Sequence, residues 1–192
     1  MINSLFMVDM FQKRKSDILK KQDKSSVGNW DKKIKKLCEK INKKQDYYTT
    51  SSCAGRVVIM IDQDKKEKGL FIKVYHDLIS LKELKDCLNL IKNKKLIKFK
   101  QEPCILHVAC KDFDDAKKLL NKGRLAGWKK SGILSSSRRF IVEMNSTERL
   151  EFPIVDKGKI LGGDDFLKIV VKKANENLKK SWKKIEKLRK SL

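Results

Sequence analysis

The stretch Tyr48-Thr49-Thr50-Ser51-Ser52-Cys53-Ala54-Gly55-Arg56-Val57-Val58-Ile59-Met60-Ile61 decides how the rest of the chain is read. Five small hydroxyl or thiol side chains stand in a row, from Thr49 to Cys53. Gly55 then lets the backbone bend or approach a partner closely. Arg56 supplies a forked donor suited to a carboxylate or phosphate. Val57–Ile61 reads as a buried strand. The stretch therefore predicts a small-residue loop leading into a core strand. Such a loop either holds the polar groups of a ligand or is a plain Ser/Thr-rich turn.

On the N-terminal side, apolar residues at helical spacing predict two helices. One runs over 3–22 with Phe6, Met7, Met10, Phe11, Ile18 and Leu19 on one side. The other runs over about 30–45 with Trp30, Ile34, Leu37, Cys38 and Ile41, and residues 23–29 break the pattern. On the C-terminal side, Leu70–His76 alternates and forms a hairpin with the core strand. Ser80-Leu81-Lys82-Glu83 is a capping box opening a helix with Leu84, Leu88 and Ile91. Residues 95–101 make a strand with Lys98 and Lys100 on one face. Cys104–Cys110 is apolar on both faces except for His107, which predicts a central strand. Asp112 caps a helix to about Asn121. Gly123 and Gly127 bracket a turn, and strands follow at about 131–136, 138–145 and 149–155. Asp164 caps a long final helix to about residue 190, with a seam of Leu167, Val170, Val171, Ala174, Leu178, Trp182, Ile185 and Leu188.

This order predicts an α+β fold of mixed sheet hairpins with flanking helices and a long C-terminal helix, not a doubly wound sheet. Residues 1–192 are expected as a single domain, with room for two closely packed α+β halves. Ser51–Met60 lines up without gaps on Ser135–Met144. A helix precedes each run and a hairpin is expected after it, which suggests helix-plus-hairpin halves related by a pseudo-twofold axis.

The charge narrows the partner. There are 47 Lys and Arg against 24 Asp and Glu, a formal net charge of +23, which points to a polyanion such as RNA. Lys98, Lys100, Lys129, Lys130, Arg138 and Arg139 are the candidate phosphate contacts. Tyr47, Tyr48, Tyr75 and Trp128 are aromatic candidates for stacking on a base, with core packing the alternative for Trp128. The alternative, a genome-wide lysine bias, does not readily explain a surplus of 23 on one small chain. No run of 18 apolar residues occurs and the opening residues lack a small-residue cleavage site, so a cytoplasmic protein without a membrane span is expected. The five cysteines are scattered without a C-x-x-C, so reduced thiols and no metal site are expected.

No dinucleotide or P-loop glycine motif is present. The chain has only two histidines, His76 and His107. His107, mid-strand among apolar residues, is either satisfied by a neighbouring carbonyl or acts as a general base. His76 ends a strand, where it is either an exposed polar residue or part of a site.

At this point the motifs meet a known family. Thr49–Arg56, Val74-Tyr75-His76, Glu102-Pro103-Cys104-Ile105-Leu106-His107-Val108-Ala109-Cys110 and Gly127-Trp128-Lys129-Lys130-Ser131-Gly132-Ile133 resemble successive blocks of the tRNA wybutosine-synthesising protein 3 family. So do Asn145-Ser146-Thr147, Leu150-Glu151-Phe152-Pro153, Lys157-Gly158-Lys159 and Ala174-Asn175, in family order from about residue 3 to 190. Phe71, Lys129 and Asn145 depart from the pattern, where tryptophan, arginine and arginine are expected, and their roles stay unassigned. The resemblance implies an S-adenosylmethionine-dependent methyltransferase. Its substrate would be the tricyclic base beside the anticodon of tRNA-Phe, methylated on ring nitrogen N-4 of the 7-(3-amino-3-carboxypropyl)-4-demethylwyosine intermediate. For such a reaction His107, His76 and Cys53 are the catalytic candidates, with His107 preferred as base and Cys53 disfavoured as a covalent nucleophile, since N-methylation needs no enzyme adduct. The resemblance implies Ser51, Ser52, Gly55, Arg56, Ser131 and Gly132 around the methyl donor, with Arg56 on a carboxylate of the donor or of the substrate arm. Neither a metal nor an obligate protein partner is implied. The alternative is a non-catalytic tRNA-binding module.

Overall fold

Residues 47–53, expected as a loop, form a strand. They lie beside Cys104–Cys110, whose backbone needs pairing on both edges, and the β-branched Thr49 and Thr50 suit an extended chain. The computed structural model describes residues 2–20, 31–63, 69–92, 95–136 and 139–192, with side chains from residue 10 onward. The expectations at residues 21–30, at Phe6 and Met7, and at Arg138 lie outside the described residues.

The elements, in order, are α1 (Ile2–Lys20), α2 (Lys32–Asn42), β1 (Tyr47–Cys53), β2 (Arg56–Ile61), β3 (Phe71–Tyr75), α3 (Leu81–Asn89), β4 (Ile97–Glu102) and β5 (Ile105–Cys110). They continue as α4 (Phe113–Leu125), β6 (Lys130–Ser136), β7 (Arg139–Asn145), β8 (Leu150–Asp156), β9 (Lys159–Ile160) and α5 (Asp164–Ser191). The fold is α+β, with two antiparallel sheets and a long C-terminal helix, as the element order predicts. The chain divides into a first unit, Met1–Ala54, Cys104–Thr147 and Trp182–Leu192, and a second unit, Gly55–Pro103 and Glu148–Ser181.

The first unit holds the sheet β1-β5-β7-β6, with β5 central as expected. Leu106, Val108, Val142 and Met144 share one face and are fully buried. Ile34, Leu37, Cys38 and Ile41 of α2, at positions i, i+3, i+4 and i+7, join them in one core cluster with Ala116, Leu119 and Leu120 of α4. Each fully buried Leu or Ile contributes roughly 1.5–3 kcal/mol. Gly123, expected in a turn, lies inside α4. A Cβ there would come within 2.6 Å of Met144 Sδ, so its absence lets the helix settle onto β7. The turn falls at Gly127 alone, at φ +97°.

The second unit holds the sheet β3-β2-β4-β8-β9. The expected hairpin is present, with Val57, Val58 and Ile59 opposite Tyr75, Val74 and Lys73. The capping box opens α3: Ser80 Oγ accepts from Glu83 N, and Ser80 N donates to Glu83 Oε2 at 2.7 Å. Asn175 clamps the loop before α3 at two points. Its Nδ2 donates to Ile79 O and its Oδ1 accepts from Ile79 N, at 2.8 and 3.0 Å. The α5 seam is buried as expected, Leu167, Val170, Val171, Ala174 and Leu178 in this unit and Ile185 and Leu188, with half-buried Trp182, in the first. Asp164 is not the cap. It is the first residue of α5 and pairs with Lys85, while Gly163 O accepts from Leu167 N.

The internal echo does not extend to strand pairing. Residues 56–61 pair with β3 and β4 in one sheet, whereas 139–145 pair with β5 and β6 in the other. The strand after β7 joins the sheet of the second unit through β4, so no β7–β8 hairpin forms.

Candidate active site

In the first unit the register of the sheet builds one polar row. Ser51 of β1 lies opposite His107 of β5, His107 opposite Glu143 of β7, and Glu143 opposite Gly132 of β6. Directly opposed residues share a face. This row therefore lies on the face away from Leu106, Val108, Val142 and Met144, which the helices cover. The imidazole of His107 is 28% exposed. Its Nε2 is buried without a hydrogen-bond partner and lies 3.6 Å from Glu143 Oε2. Asn145 Nδ2 donates to the other oxygen, Glu143 Oε1, at 2.7 Å. No side-chain atom is within 4 Å of where a Cβ on Gly132 would stand, so the row ends in open space. A neutral imidazole with a carboxylate at its back can accept a proton and have the resulting charge stabilised.

The row of five small residues is split by the pleat of β1. Ser51 and Cys53, opposite His107 and Ile105, lie on the His107 face. Ser52, opposite Leu106, lies on the helix face, where it hydrogen-bonds the Cys38 thiol. Burial pushes that thiol up to about 11, with the Ser52 bond opposing. Thr49 is tied to α2, its N donating to Asn42 Oδ1 at 2.8 Å. Thr50 Oγ1 donates to His107 O at 3.4 Å. Ser131 likewise turns inward, its Oγ donating to Trp128 O at 2.6 Å. Of the expected donor-site hydroxyls, Ser51 thus shares the His107 face, while those of Ser52 and Ser131 are committed elsewhere. The exit of β1 is pinned by Asp31, the N-cap of α2, whose Oδ2 accepts from Ala54 N at 3.1 Å. Gly55 follows at φ +94°, a conformation that glycine adopts without strain.

The second unit carries Arg56 and His76. Arg56 Nε donates to Glu102 Oε2 at 2.6 Å across the β2–β4 pair, and the guanidinium sits 5.6 Å from the centre of the Phe71 ring. Burial pushes the Glu102 carboxyl up, but the hydrogen bond and charge of Arg56, with Lys100, outweigh it and hold it below its ordinary value. The charges continue along the same sheet face. Lys100 Nζ lies 3.2 Å from Glu102 Oε1 and 3.9 Å from Glu151 Oε2, and Lys98 Nζ lies 3.2 Å from Glu151 Oε1 and 2.8 Å from Asp62 Oδ1. Lys98 and Lys100 are thus engaged with carboxylates. His76 is half-buried in the bend after β3, in a different unit from His107. An open groove of about 730 Å³ between β3 and α3 is lined by Lys73, Tyr75, Glu83, Asp86, Cys87 and Leu90, among others, and includes none of the expected catalytic or donor-site residues.

Among the other basic and aromatic candidates, Lys129, Lys130 and Arg139 are exposed. Trp128 is fully buried, with Nε1 donating to Lys184 O at 3.3 Å, and Tyr48 is 4% exposed and packs on Phe11 at 5.2 Å. Core packing, not base stacking, is the role of both. Glu143 was not singled out by the sequence reading. Its signal was a lone acid inside the apolar strand Phe140-Ile141-Val142-Glu143-Met144. Among the described residues no group of three or more His, Cys, Asp or Glu is placed to hold a metal, and no helix is long and apolar enough to cross a membrane.

Known proteins resemble this arrangement over nearly its whole length. The family model described as Methyltransferase TYW3 matches residues 13–192. A tRNA(Phe) 7-((3-amino-3-carboxypropyl)-4-demethylwyosine(37)-N(4))-methyltransferase of Methanocaldococcus jannaschii is 40% identical over 160 residues, 80% of this chain and 81% of that protein. One of the same name from Archaeoglobus fulgidus is 36% identical over 162 residues, 83% and 81% of the two chains. The solved structure of the PH1069 protein from Pyrococcus horikoshii matches with a TM-score of 0.86 at 31% identity, covering 96% of this chain and 94% of that one.

Proposed function

The chain belongs to the methyltransferase TYW3 family, and on that premise we propose that it methylates ring nitrogen N-4 of the 7-(3-amino-3-carboxypropyl)-4-demethylwyosine base in tRNA-Phe. The methyl donor is S-adenosylmethionine, and the reaction belongs to the cytoplasm. The observation that supports this chemistry in the chain itself is the row Ser51, His107, Glu143 and Gly132, with a buried, unpartnered imidazole nitrogen beside a carboxylate.

The residues present fit such a donor. Ser51 is small and the space beside Gly132 is open, so the row is uncrowded. When bound, S-adenosylmethionine supplies an electrophilic methyl carbon and leaves as a neutral thioether. Arg56, in the second unit, is kept as the expected partner of a carboxylate, of the donor or of the substrate arm. His107 removes the proton on the ring nitrogen. As the N–C bond to the methyl forms, the N–H electron pair stays on the ring nitrogen and the proton passes to the imidazole. No enzyme adduct is needed, which leaves Cys53 a pocket residue.

The test is transfer of labelled methyl from S-adenosylmethionine to tRNA-Phe carrying the aminocarboxypropyl tricycle, against tRNA-Phe with unmodified guanosine. Label on the first alone, with the mass of one methyl, upholds the proposal. Label on neither, with tight tRNA binding, leaves a non-catalytic tRNA-binding module.

A further inference from the structure

We infer that Glu143 is the positioning residue of His107: its carboxylate holds the Nε2 proton of the imidazole, so that Nδ1 is the nitrogen that takes the substrate's proton. This rests on the reading of His107 as the base. Four observations carry it. Nε2 of the ring is buried and lacks a hydrogen-bond partner. The atom it faces is Glu143 Oε2, at 3.6 Å, just beyond hydrogen-bond length. The other carboxylate oxygen is fixed by Asn145 at 2.7 Å, so the carboxylate is oriented on this side of the sheet independently of His107. Finally, opposed register on neighbouring antiparallel strands holds the two Cα atoms in place.

A buried nitrogen without a partner is costly, so the pair gains by closing the remaining gap. A small side-chain rotation of Glu143 suffices, and catalytic contacts that are long in a free enzyme commonly tighten in the complex. With Nε2–H donating to the carboxylate, the basic lone pair of the neutral ring is on Nδ1. When Nδ1 takes a proton, the imidazolium meets an opposite charge already in place, and no solvent must reorganise to provide it. Asn145 acts one step further back, by keeping the carboxylate from turning to bulk water.

Other charged or titratable groups share this face or its edge. They are Arg139 on β7, Lys130 on β6 and Cys53 on β1. From α1, which packs on β1 through Phe11 and Tyr48, Arg14 acts on Tyr48 together with Arg139. Glu143 is the carboxylate set against the imidazole, so removing it withdraws the acceptor that would hold Nε2–H.

The experiment is nitrogen-15 NMR of the imidazoles in the whole protein across pH, for the wild type, Glu143→Gln and Asn145→Ala. The chain has two histidines, so a His76→Asn variant assigns the spectrum. In its neutral form His107 should carry its proton at Nε2, and the share of that tautomer should fall in Glu143→Gln and fall less in Asn145→Ala. In the methyl-transfer assay, Glu143→Gln should lower kcat by roughly 10- to 100-fold, with KM little changed. Neutral His107 protonated at Nδ1 in the wild type, or an unchanged tautomer in Glu143→Gln, overturns the inference. If the tautomer changes but His107→Ala retains full turnover, the Glu143–His107 contact stands and the reading of His107 as base falls.

Discussion

His107 and Cys53 share one face of one sheet in the first unit, yet chemistry assigns them unequal parts. Transfer to a ring nitrogen needs a proton acceptor and needs no thiolate. His107→Ala should therefore lower kcat by at least 100-fold, within the 10²–10⁴ range of general bases, and leave tRNA affinity near wild type. A loss below tenfold would remove the base assignment. Cys53→Ser should retain near-normal turnover, and its inactivation would reopen covalent catalysis. Glu102 makes a prediction in pH. Its folded-state pKa lies below its ordinary value, so the stabilisation from the Arg56 pair is present above the unfolded value of about 4.3 and is lost as pH falls through the folded one. The difference in Tm between wild type and Glu102→Gln should shrink from pH 6 to pH 3. A constant gap would mean that the pair contributes no linkage.

At the scale of elements, Asp31 joins α2 to the end of β1. One oxygen accepts from Lys33 N as the N-cap, and the other accepts from Ala54 N, in a fully buried residue. Asp31→Ala should cost about 2–4 kcal/mol, a lost cap plus an orphaned buried donor, measurable by denaturant unfolding. Asp31→Asn, which can still cap, should recover a part of that. If Asp31→Ala unfolds at the wild-type midpoint, neither bond stabilises the protein. The pleat of β1 matters equally here. Sequence spacing showed a row of small hydroxyls, but a strand sends neighbours to opposite faces. Ser51 and Ser52 thus have separate roles, toward the polar row and toward Cys38.

Across the whole molecule, the charge of +23 predicts that tRNA affinity falls steeply with salt. The basic residues do not share this equally. Lys98 and Lys100 are paired with Asp62, Glu102 and Glu151, while Lys129, Lys130 and Arg139 are exposed. Alanine at each of the last three should reduce the slope of log K against log salt by about 0.7–0.9 if each meets a phosphate. Alanine at Lys98 or Lys100 should leave the slope unchanged. The reverse pattern, read from binding titrations at several salt concentrations, would place the phosphate track on the second unit's sheet.

The sequence by itself determined most element types, though not the strand at residues 47–53, together with the caps at Ser80 and Asp112, the buried seam of α5 and the family. These depend on local periodicity, hydrogen bonding within a few residues, and motifs that stay together along the chain. Only the tertiary structure decided which strands share a sheet. That choice put β1 and β2, joined through Ala54 and Gly55, into different sheets and broke the apparent internal repeat. It also brought Glu143 beside His107 from 36 residues along the chain, and set Lys98 and Lys100 against Glu151 of β8, with Lys98 also on Asp62 of the loop after β2. The physical reason is register. Cross-strand partners are set by how two distant segments align to bury their apolar faces, and no spacing within either segment encodes that alignment.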